Sequence, residues 1–223
     1  MITKKTLKRF FQRLKPFEPE EGESVINQIG HRNYVGGLWD ELGALQIEFL
    51  LKEGLKSSDC LLDIGCGSFR GGTHFINYLN KGNYIGIDKD PDLIDRGIKI
   101  EIGKKTIQSK KPIIIISSNF NFKKIKKKPN ISFAQSLFTH LNLDDIGLCL
   151  TNLREIVVKG HRFYATFKEG SPLLNRKTSN SFSVFSYYFK TISDIGLELG
   201  WEAHYIGDWG HPRNQKIIKF TAT

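Results

Sequence analysis

The sequence predicts a doubly wound α/β fold, with a mostly parallel sheet of seven strands that ends in an antiparallel hairpin. Three observations predict it. From residue 60 onward, short apolar segments alternate with segments of helical periodicity, as in parallel strands joined by crossover helices. A glycine-rich turn at residues 65–72 follows the first apolar segment and precedes a helical pattern. Near the C-terminus, only a short loop separates two strand segments, so they must pair antiparallel.

The strands are identified as short apolar segments bounded by turn residues. Residues 113–116 are consecutive isoleucines, and such continuous runs suit a parallel sheet that helices cover on both faces. The predicted strands span residues 60–65, 83–88, 112–117, 130–136, 161–167, 201–208 and 215–222. The last two of these form the predicted hairpin.

The helices are identified from apolar side chains that repeat at three- and four-residue spacing. Asp90 and Pro91 favour a helix start, because aspartate caps free backbone N–H groups and proline suits the first helical position. Gly54 favours a helix end. The predicted helices span residues 38–53, 72–80, 91–104, 142–157 and 190–199.

The chain is predicted to comprise an N-terminal segment, residues 1–24, and one α/β domain, residues 25–223. Residues 3–14 can form a short basic helix, and prolines interrupt an acidic linker at residues 16–24. Within the domain, residues 168–187 are rich in Ser, Asn, Lys and Phe. Their composition predicts an irregular insertion.

Composition narrows the classes of protein to consider. No apolar run approaches the ~20 residues that a membrane-spanning helix needs, and the cationic N-terminus lacks the apolar core of a secretory signal. Cys60, Cys66 and Cys149 lack C-x-x-C spacing, which favours a reducing compartment without disulfides or zinc. A cytoplasmic location is therefore expected.

The net charge of +10 admits two interpretations. Runs of lysine, such as the one at residues 123–128, can form an electrostatic surface for nucleic acid. They can also be the solvated surface of a lysine-rich chain. The second interpretation is favoured, because the runs lack the interleaved aromatic residues of single-strand binders.

The turn after the first strand indicates which ligand the sheet binds. Gly65 and Gly67 lack the Cβ atoms that would keep a ligand away from the backbone. A dinucleotide site needs a third glycine where this chain has Arg70, and the carboxylate of Asp63 would repel a pyrophosphate. A sulfonium cofactor with an ammonium group is instead attracted by that carboxylate. The pattern therefore favours S-adenosylmethionine (SAM) over NAD.

Further candidates follow the carboxyl ends of the next strands, where open α/β sheets bind ligands. Asp88 ends the second strand and suits hydrogen bonds to ribose hydroxyls, which NAD and SAM both carry. Asn119 and Phe120 follow the third strand and are candidates to border the adenine. Gln135 and Ser136 end the fourth strand and are expected to face the crevice.

His140 follows the fourth strand and is a candidate general base for an acceptor hydroxyl, since imidazole groups titrate near neutral pH. A structural histidine beside a helix start is the alternative. The sequence does not decide between these two roles.

These segments together resemble bacterial class I SAM-dependent methyltransferases over most of the chain. The resemblance is carried by residues 32–41, 61–72, 84–88, 134–141, 162–167 and 207–215. The first and last segments resemble a subgroup of uncharacterised bacterial small-molecule methyltransferases, some of which accompany genes for surface-glycan assembly. The resemblance implies a Rossmann-like methyltransferase fold and SAM as the cofactor.

The resemblance also implies roles for particular residues. Asp63 and the glycine turn would hold the methionine part of SAM, Asp88 would bind the ribose, and Lys89 would lie beside the nucleoside. Gln135 and Ser136 would border the sulfonium. The predicted cofactor-binding residues are Asp63, Gly65, Cys66, Gly67, Ser68, Asp88, Lys89, Asn119, Phe120, Gln135 and Ser136.

The acceptor site is predicted at the loop of the C-terminal hairpin, residues 208–214, which should lie at the same edge of the sheet as the cofactor. Trp209 and Arg213 are candidate acceptor-binding residues, and His211 is a second candidate base. Arg213 can pair with an acceptor phosphate or carboxylate. The alternative is that Arg213 braces the loop through backbone carbonyls.

Two other parts of the chain are candidate covers for the acceptor. Tyr34 and Trp39 belong to the N-terminal segment of the resemblance and can act as a lid. The insertion at residues 168–187 is a second candidate acceptor lid.

The predicted function is SAM-dependent methyl transfer to a small-molecule acceptor, with the hydroxyl of a sugar or glycan precursor as the candidate. The first alternative is an RNA methyltransferase, which the net charge suggests. The lysines at residues 123–128 argue against it, because they precede the fourth strand and so lie away from the cofactor edge. The second alternative is a SAM-binding protein without catalysis. No cluster of carboxylates in the sequence suggests a metal ion.

Overall fold

The computed structural model describes residues 22–223, so the predicted basic helix at residues 3–14 lies outside the described residues. One sheet organises the chain. Its strands are β1 (Leu61–Ile64), β2 (Tyr84–Asp88), β3 (Ile113–Ile116), β4 (Ile131–Ala134), β5 (Arg162–Glu169), β6 (Ser186–Tyr187), β7 (Trp201–Asp208) and β8 (Lys216–Ala222). Across the sheet the order is β3-β2-β1-β4-β5-β8-β7, and β6 pairs with β5 beside this path.

The main sheet is parallel except at β8, which runs antiparallel to both β5 and β7. The predicted sheet of seven mostly parallel strands with a C-terminal antiparallel hairpin is therefore confirmed. The two-residue β6 was not predicted. Because the strand order reverses between β1 and β4, the carboxyl ends of these strands leave a crevice.

Helices bury both faces of the sheet. They are α1 (Glu23–Ile29), α2 (His31–Tyr34), α3 (Trp39–Lys52), α4 (Gly72–Tyr78), α5 (Pro91–Arg96), α6 (Gly103–Lys110), α7 (Leu143–Arg154) and α8 (Phe189–Glu198). As predicted, Asp90 caps α5 by accepting hydrogen bonds from the backbone N–H groups of Asp92 and Leu93. The helix α1 begins within the residues that the sequence assigns to the acidic linker.

Consecutive residues of the central strands enter different hydrophobic cores. In β1, Leu62 and Ile64 pack in the core that includes α7 and α8, whereas Leu61 packs in the core that includes α3 and α4. The isoleucines of β3 are an exception to the predicted burial. They form the edge strand of the sheet, and Ile116 is 48% exposed.

The predicted helix at residues 91–104 is wrong in its extent. Helical structure continues to Lys110, and Gly97–Ile102 is a π-helix between α5 and α6. The helix α6 buries none of its residues, so no apolar periodicity in the sequence indicates it.

The insertion after β5 is largely irregular, as predicted. β5 itself runs beyond its predicted end to Glu169, a 3₁₀ turn follows at Pro172–Leu174, and β6 closes the segment. Among residues 22–223, no helix combines the length and apolar character needed to cross a bilayer.

At Gly97 the π-helix lies close to the turn after β1. A Cβ atom at Gly97 would lie 2.5 Å from Cδ2 of Phe69 and 2.7 Å from the backbone oxygen of Ser68. The missing side chain therefore lets the helix pack directly against the backbone of that turn.

We expect Gly97→Ala to lower the free energy of unfolding by about 1–3 kcal/mol, because the new methyl group has no space. Gly147→Ala is the matched control. It lies inside α7, where a Cβ atom would meet only Cδ1 of Leu199 at 3.9 Å, so it should stabilise the protein by about 0.5–1 kcal/mol. Urea unfolding of both variants checks the prediction, and an equal effect of the same sign in both would contradict it.

Candidate active site

A cavity of about 630 Å³ opens at the carboxyl ends of β1, β2, β3 and β4. Three other parts of the chain complete its wall: residues 33–36, residues 179–184 of the insertion, and Arg213 with Gln215 from the hairpin loop. The cavity therefore lies at the switch point of the sheet, where open α/β folds bind ligands. Residues 33–37 are called the roof segment below.

The turn after β1 is held in place by Asp88. Gly67 has φ of +52°, a left-handed conformation that favours glycine, and its backbone N–H donates to Oδ2 of Asp88 at 2.8 Å. The other carboxylate oxygen of Asp88 accepts from the N–H of Asp90 at 2.9 Å. Burial raises the pKa of Asp88, whereas these two hydrogen bonds lower it. A carboxylate has further lone pairs, so Asp88 can also accept from a ligand in the cavity.

Asp63 lies at the floor of the cavity with only 4% of its surface exposed. It accepts a hydrogen bond of 2.7 Å from the hydroxyl of Tyr84. Burial and the nearby Asp88 raise the pKa of Asp63 to about 7, against the opposing effects of the Tyr84 hydrogen bond and the charge of Arg70. A cationic group in the cavity would therefore favour the ionised form of Asp63.

Arg70 is a functional candidate that the sequence does not reveal, because in the motif it is only a departure from a glycine pattern. Its guanidinium is buried in the cavity wall. Nη1 donates to the backbone oxygens of Val35 and Gly37 at 3.0 and 2.9 Å, and Nη2 donates to Oε1 of Gln135 at 2.6 Å. The signal in the sequence is a long charged side chain within a glycine-rich turn.

The roof segment is also fastened from two other directions. Nη2 of Arg213 donates to the backbone oxygen of Gly36 at 2.5 Å. At its N-terminal end, the buried carboxylate of Glu101 in the π-helix accepts from Nε and Nη2 of Arg32, both at 2.8 Å, and contacts Nε2 of His31 at 2.6 Å. The hydrogen bond from Arg32 is the main cause that lowers the pKa of Glu101.

The predicted residues Gln135 and Ser136 line the cavity and belong to a buried polar network. Ser136 has φ of +60°, and its backbone N–H donates to Oγ1 of Thr166 at 2.7 Å. Nε2 of Gln135 and Nε2 of Gln215 each donate to Oγ of Ser136, at 2.7 and 2.8 Å. The network fixes the end of β4 against β5 and the hairpin loop.

His140 lines the cavity and is held in a defined tautomer. Its Nδ1 lies 2.9 Å from the backbone oxygen of Ser183. Because a carbonyl oxygen only accepts, Nδ1 carries the proton in the neutral ring and the lone pair lies on Nε2.

The other predicted base, His211, lies behind the cavity wall rather than in it. Its ring is buried between Trp209 and Gln135. The centroids of the His211 and Trp209 rings are 5.4 Å apart, and Nε2 of His211 lies 3.2 Å from Nε2 of Gln135. Burial, together with the positive charges of Arg70 and Arg213, lowers the pKa of His211 to about 4. This environment does not suit a general base at neutral pH.

The structure does not bring Trp39, Trp209 or Asn119 to the cavity wall. Trp209 packs against Phe49 on the α3 side of the sheet. The guanidinium of Arg32 packs over the Trp39 ring, 4.9 Å from its centroid. The side chain of Asn119 accepts a hydrogen bond from Ser117.

The remaining predicted site residues do line the cavity. They are Tyr34, Gly65, Cys66, Gly67, Ser68, Lys89, Phe120 and Arg213. Tyr34 meets Phe182 of the insertion in an edge-to-face contact at 5.3 Å, so the roof segment and the insertion touch each other. Burial raises the pKa of the Cys66 thiol, which argues against a nucleophilic role for it.

Among residues 22–223, no group of three or more His, Cys, Asp and Glu side chains is arranged to hold a metal ion. No model of a known protein family matches the sequence.

Solved structures with the same fold are numerous. Magnesium protoporphyrin IX methyltransferase of Synechocystis PCC 6803, with bound SAM, superposes with a TM-score of 0.60 at 10% identity, over 96% of this chain and 91% of that one. The CcbJ methyltransferase of Streptomyces caelestis superposes with a TM-score of 0.62 at 12% identity, over 81% of this chain and 89% of that one. Human N-acetylserotonin methyltransferase in complex with SAM superposes with a TM-score of 0.64 at 12% identity, over 92% of this chain and 60% of that one.

The fold is that of class I SAM-dependent methyltransferases. The resemblance predicted from the sequence motifs is thus confirmed at the level of the fold.

Asp63→Asn tests the titration of the buried carboxyl group. Because the native pKa of about 7 exceeds the ordinary 3.8, the native protein retains a proton between these pH values that the unfolded chain loses. The contribution of Asp63 to the free energy of unfolding therefore falls as pH rises through this window and is constant above it.

We expect Asp63→Asn to gain stability relative to the wild type as pH rises from about 5 to about 7, and no further gain above that. Urea unfolding without added ligand measures the difference. Asp144→Asn, at an exposed position outside the cavity, is the control for replacing a carboxyl group by an amide. A difference between Asp63→Asn and the wild type that is the same at every pH would contradict the prediction.

Proposed function

We propose that the protein is a methyltransferase that uses SAM to methylate a small molecule. The observation that carries this proposal is the cavity at the switch point, which combines a glycine turn with buried carboxylates and unsatisfied donors. Oγ of Ser68 and Nε of Arg70 are buried in its wall without a hydrogen-bond partner. Polar atoms in such positions fit a site that a polar ligand completes. When bound, SAM supplies a methyl group on a positively charged sulfur.

The residues around the glycine turn suit the cofactor. Asp88, at the end of β2, has lone pairs for ribose hydroxyls, and Lys89 and Phe120 border the same side of the cavity. Asp63 suits the ammonium group of the cofactor, which would shift this carboxyl towards its ionised form. Gln135 and Ser136, fixed by their hydrogen bonds, would border the sulfonium.

The other side of the cavity suits an acceptor of limited size. The roof segment and the insertion contact each other through Tyr34 and Phe182, so they enclose the ligand space. This contact supports the insertion as an acceptor lid. Two structural neighbours are named for small acceptors, magnesium protoporphyrin IX and N-acetylserotonin. A sugar or glycan-precursor hydroxyl remains the acceptor that we propose.

His140 is the proposed general base. Ser183 holds its Nδ1–H, so Nε2 would accept the proton of an acceptor hydroxyl as the methyl group is transferred. Arg213 would help to orient the acceptor, and it also braces the roof segment at Gly36. The chain contributes mainly alignment and exclusion of water.

An RNA methyltransferase is less well supported by the distribution of charge. The lysines at residues 123–128 precede β4, and Nζ of Lys127 donates to the backbone oxygen of Gly82, just before β2. Both strands begin at the edge opposite the cavity. Lys123 also pairs with Glu155 at 3.0 Å, as expected of a solvated surface.

The cytoplasmic location belongs to the same proposal. It is supported by Cys60, Cys66 and Cys149, which are all buried and free. The division into residues 1–24 and residues 25–223 is likewise retained as a proposal.

We expect S-adenosylhomocysteine to bind and NAD not to bind. The carboxylate of Asp63 would repel the pyrophosphate of NAD, and Arg70 stands where a pyrophosphate site needs a glycine. Titration calorimetry with both ligands measures this. Binding of NAD with affinity equal to that of S-adenosylhomocysteine would overturn the cofactor assignment.

Methyl transfer itself can be followed with SAM that carries a labelled methyl group. We expect label in the small-molecule fraction of a bacterial extract and none in its RNA. Label in RNA alone would support the first alternative. Absence of label from every fraction, with normal cofactor binding, would support a protein that binds SAM without catalysis.

With an acceptor identified, we expect His140→Gln to lower kcat by about 10²-fold or more, with unchanged affinity for S-adenosylhomocysteine. The glutamine can still donate to Ser183 but cannot take a proton. His204→Gln, at an exposed position of β7, is the control and should retain full activity. Full activity of His140→Gln across the neutral pH range would remove His140 from the mechanism.

A further inference from the structure

Arg70 is a buried cation without an ionic partner. Only 7% of its surface is exposed, and none of the ion pairs among residues 22–223 includes it. Burial and the charge of Arg213 lower its pKa to about 10, against the opposing effect of Asp63. A buried charge that no salt bridge neutralises is costly, so its surroundings indicate a place for an anion.

One edge of the Arg70 guanidinium still has hydrogen atoms to donate. The backbone oxygens of Val35 and Gly37 satisfy Nη1. Nη2 has two hydrogen atoms and one acceptor, Gln135, while Nε has no acceptor. Arg32 of this same chain uses its Nε and Nη2 to bind both oxygens of Glu101. The corresponding edge of Arg70 therefore has the shape that a carboxylate fits.

Ser68 provides a second donor from the same turn. It is fully buried, it lines the cavity, and its Oγ has no partner. Asp63 lies close enough to interact electrostatically with Arg70. A carboxyl group and a guanidinium with N–H groups still to donate, both in the wall of one cavity, match a ligand that carries an ammonium and a carboxylate on the same carbon atom.

We propose that Arg70 and Ser68 bind the carboxylate at the amino-acid end of the cofactor, an inference that rests on the proposed function. Asp63 faces the ammonium of that same end. The guanidinium then joins the cofactor to the roof segment, because its Nη1 holds Val35 and Gly37. The acceptor is the other conceivable source of a carboxylate, and Arg213 is the cation on that side.

The test compares two ligands that differ by one carboxylate: S-adenosylhomocysteine and its decarboxylated analogue, which keeps the thioether, the nucleoside and the ammonium. Calorimetry gives both affinities for the wild type, Arg70→Gln and Ser68→Ala. Arg162→Gln is the matched control, because Nη1 of Arg162 also donates to a backbone oxygen, that of Glu53, but at the opposite edge of the sheet.

We expect Arg70→Gln to lower the affinity for S-adenosylhomocysteine by about ten- to a hundredfold, while the affinity for the decarboxylated analogue stays unchanged. Ser68→Ala should lower the affinity for S-adenosylhomocysteine by a smaller factor, and this variant serves as the test if Arg70→Gln does not fold. Arg162→Gln should leave both affinities unchanged.

Equal weakening of the two ligands would overturn the inference, since Arg70 would then only shape the cavity. Unchanged binding of S-adenosylhomocysteine would overturn it as well and would leave an acceptor carboxylate as the partner of Arg70. Failure of the wild type to bind either ligand would count against the proposed function itself.

Discussion

The contact between Arg70 and the roof segment is the interaction on which the cavity depends. The side chain of Arg70 extends from the turn after β1. Its guanidinium donates hydrogen bonds to the carbonyls of Val35 and Gly37 and to Gln135 at the end of β4. Three parts of the chain that are distant in sequence are thereby joined by one rigid, planar group. Because an unpaired buried polar group is costly, displacement of any one part would leave N–H groups of Arg70, and the oxygens that accept from them, without partners.

The roof segment gains its place from charges rather than from apolar packing alone. Glu101 holds its beginning, while Arg70 and Arg213 hold its middle through backbone oxygens. The π-helix contributes to this arrangement, because it carries Glu101 and also packs against the glycine turn at Gly97. An irregular stretch of helix thus serves the site directly, which fits the general occurrence of π-helical segments near functional sites.

The two histidines near the cavity show how the surroundings assign chemical roles. His140 lies in the wall with its Nδ1–H donated to a carbonyl, which presents a lone pair on Nε2. His211 is sequestered beside Arg70 and Arg213, and its ring supports Gln135 from behind. The same side-chain type is thus a candidate base in one place and a packing element in the other.

The sequence by itself determined the mostly parallel strands with their antiparallel hairpin, the glycine turn and the acids at the ends of β1 and β2, because these follow from local periodicity, loop length and turn chemistry. It did not reveal α6, which buries nothing, nor the placement of Trp39 and Trp209 outside the cavity. Only the tertiary structure decided the role of Arg70. A long side chain is placed by its partners, and those partners, Val35, Gly37 and Gln135, are brought together by the fold and not by proximity in the chain.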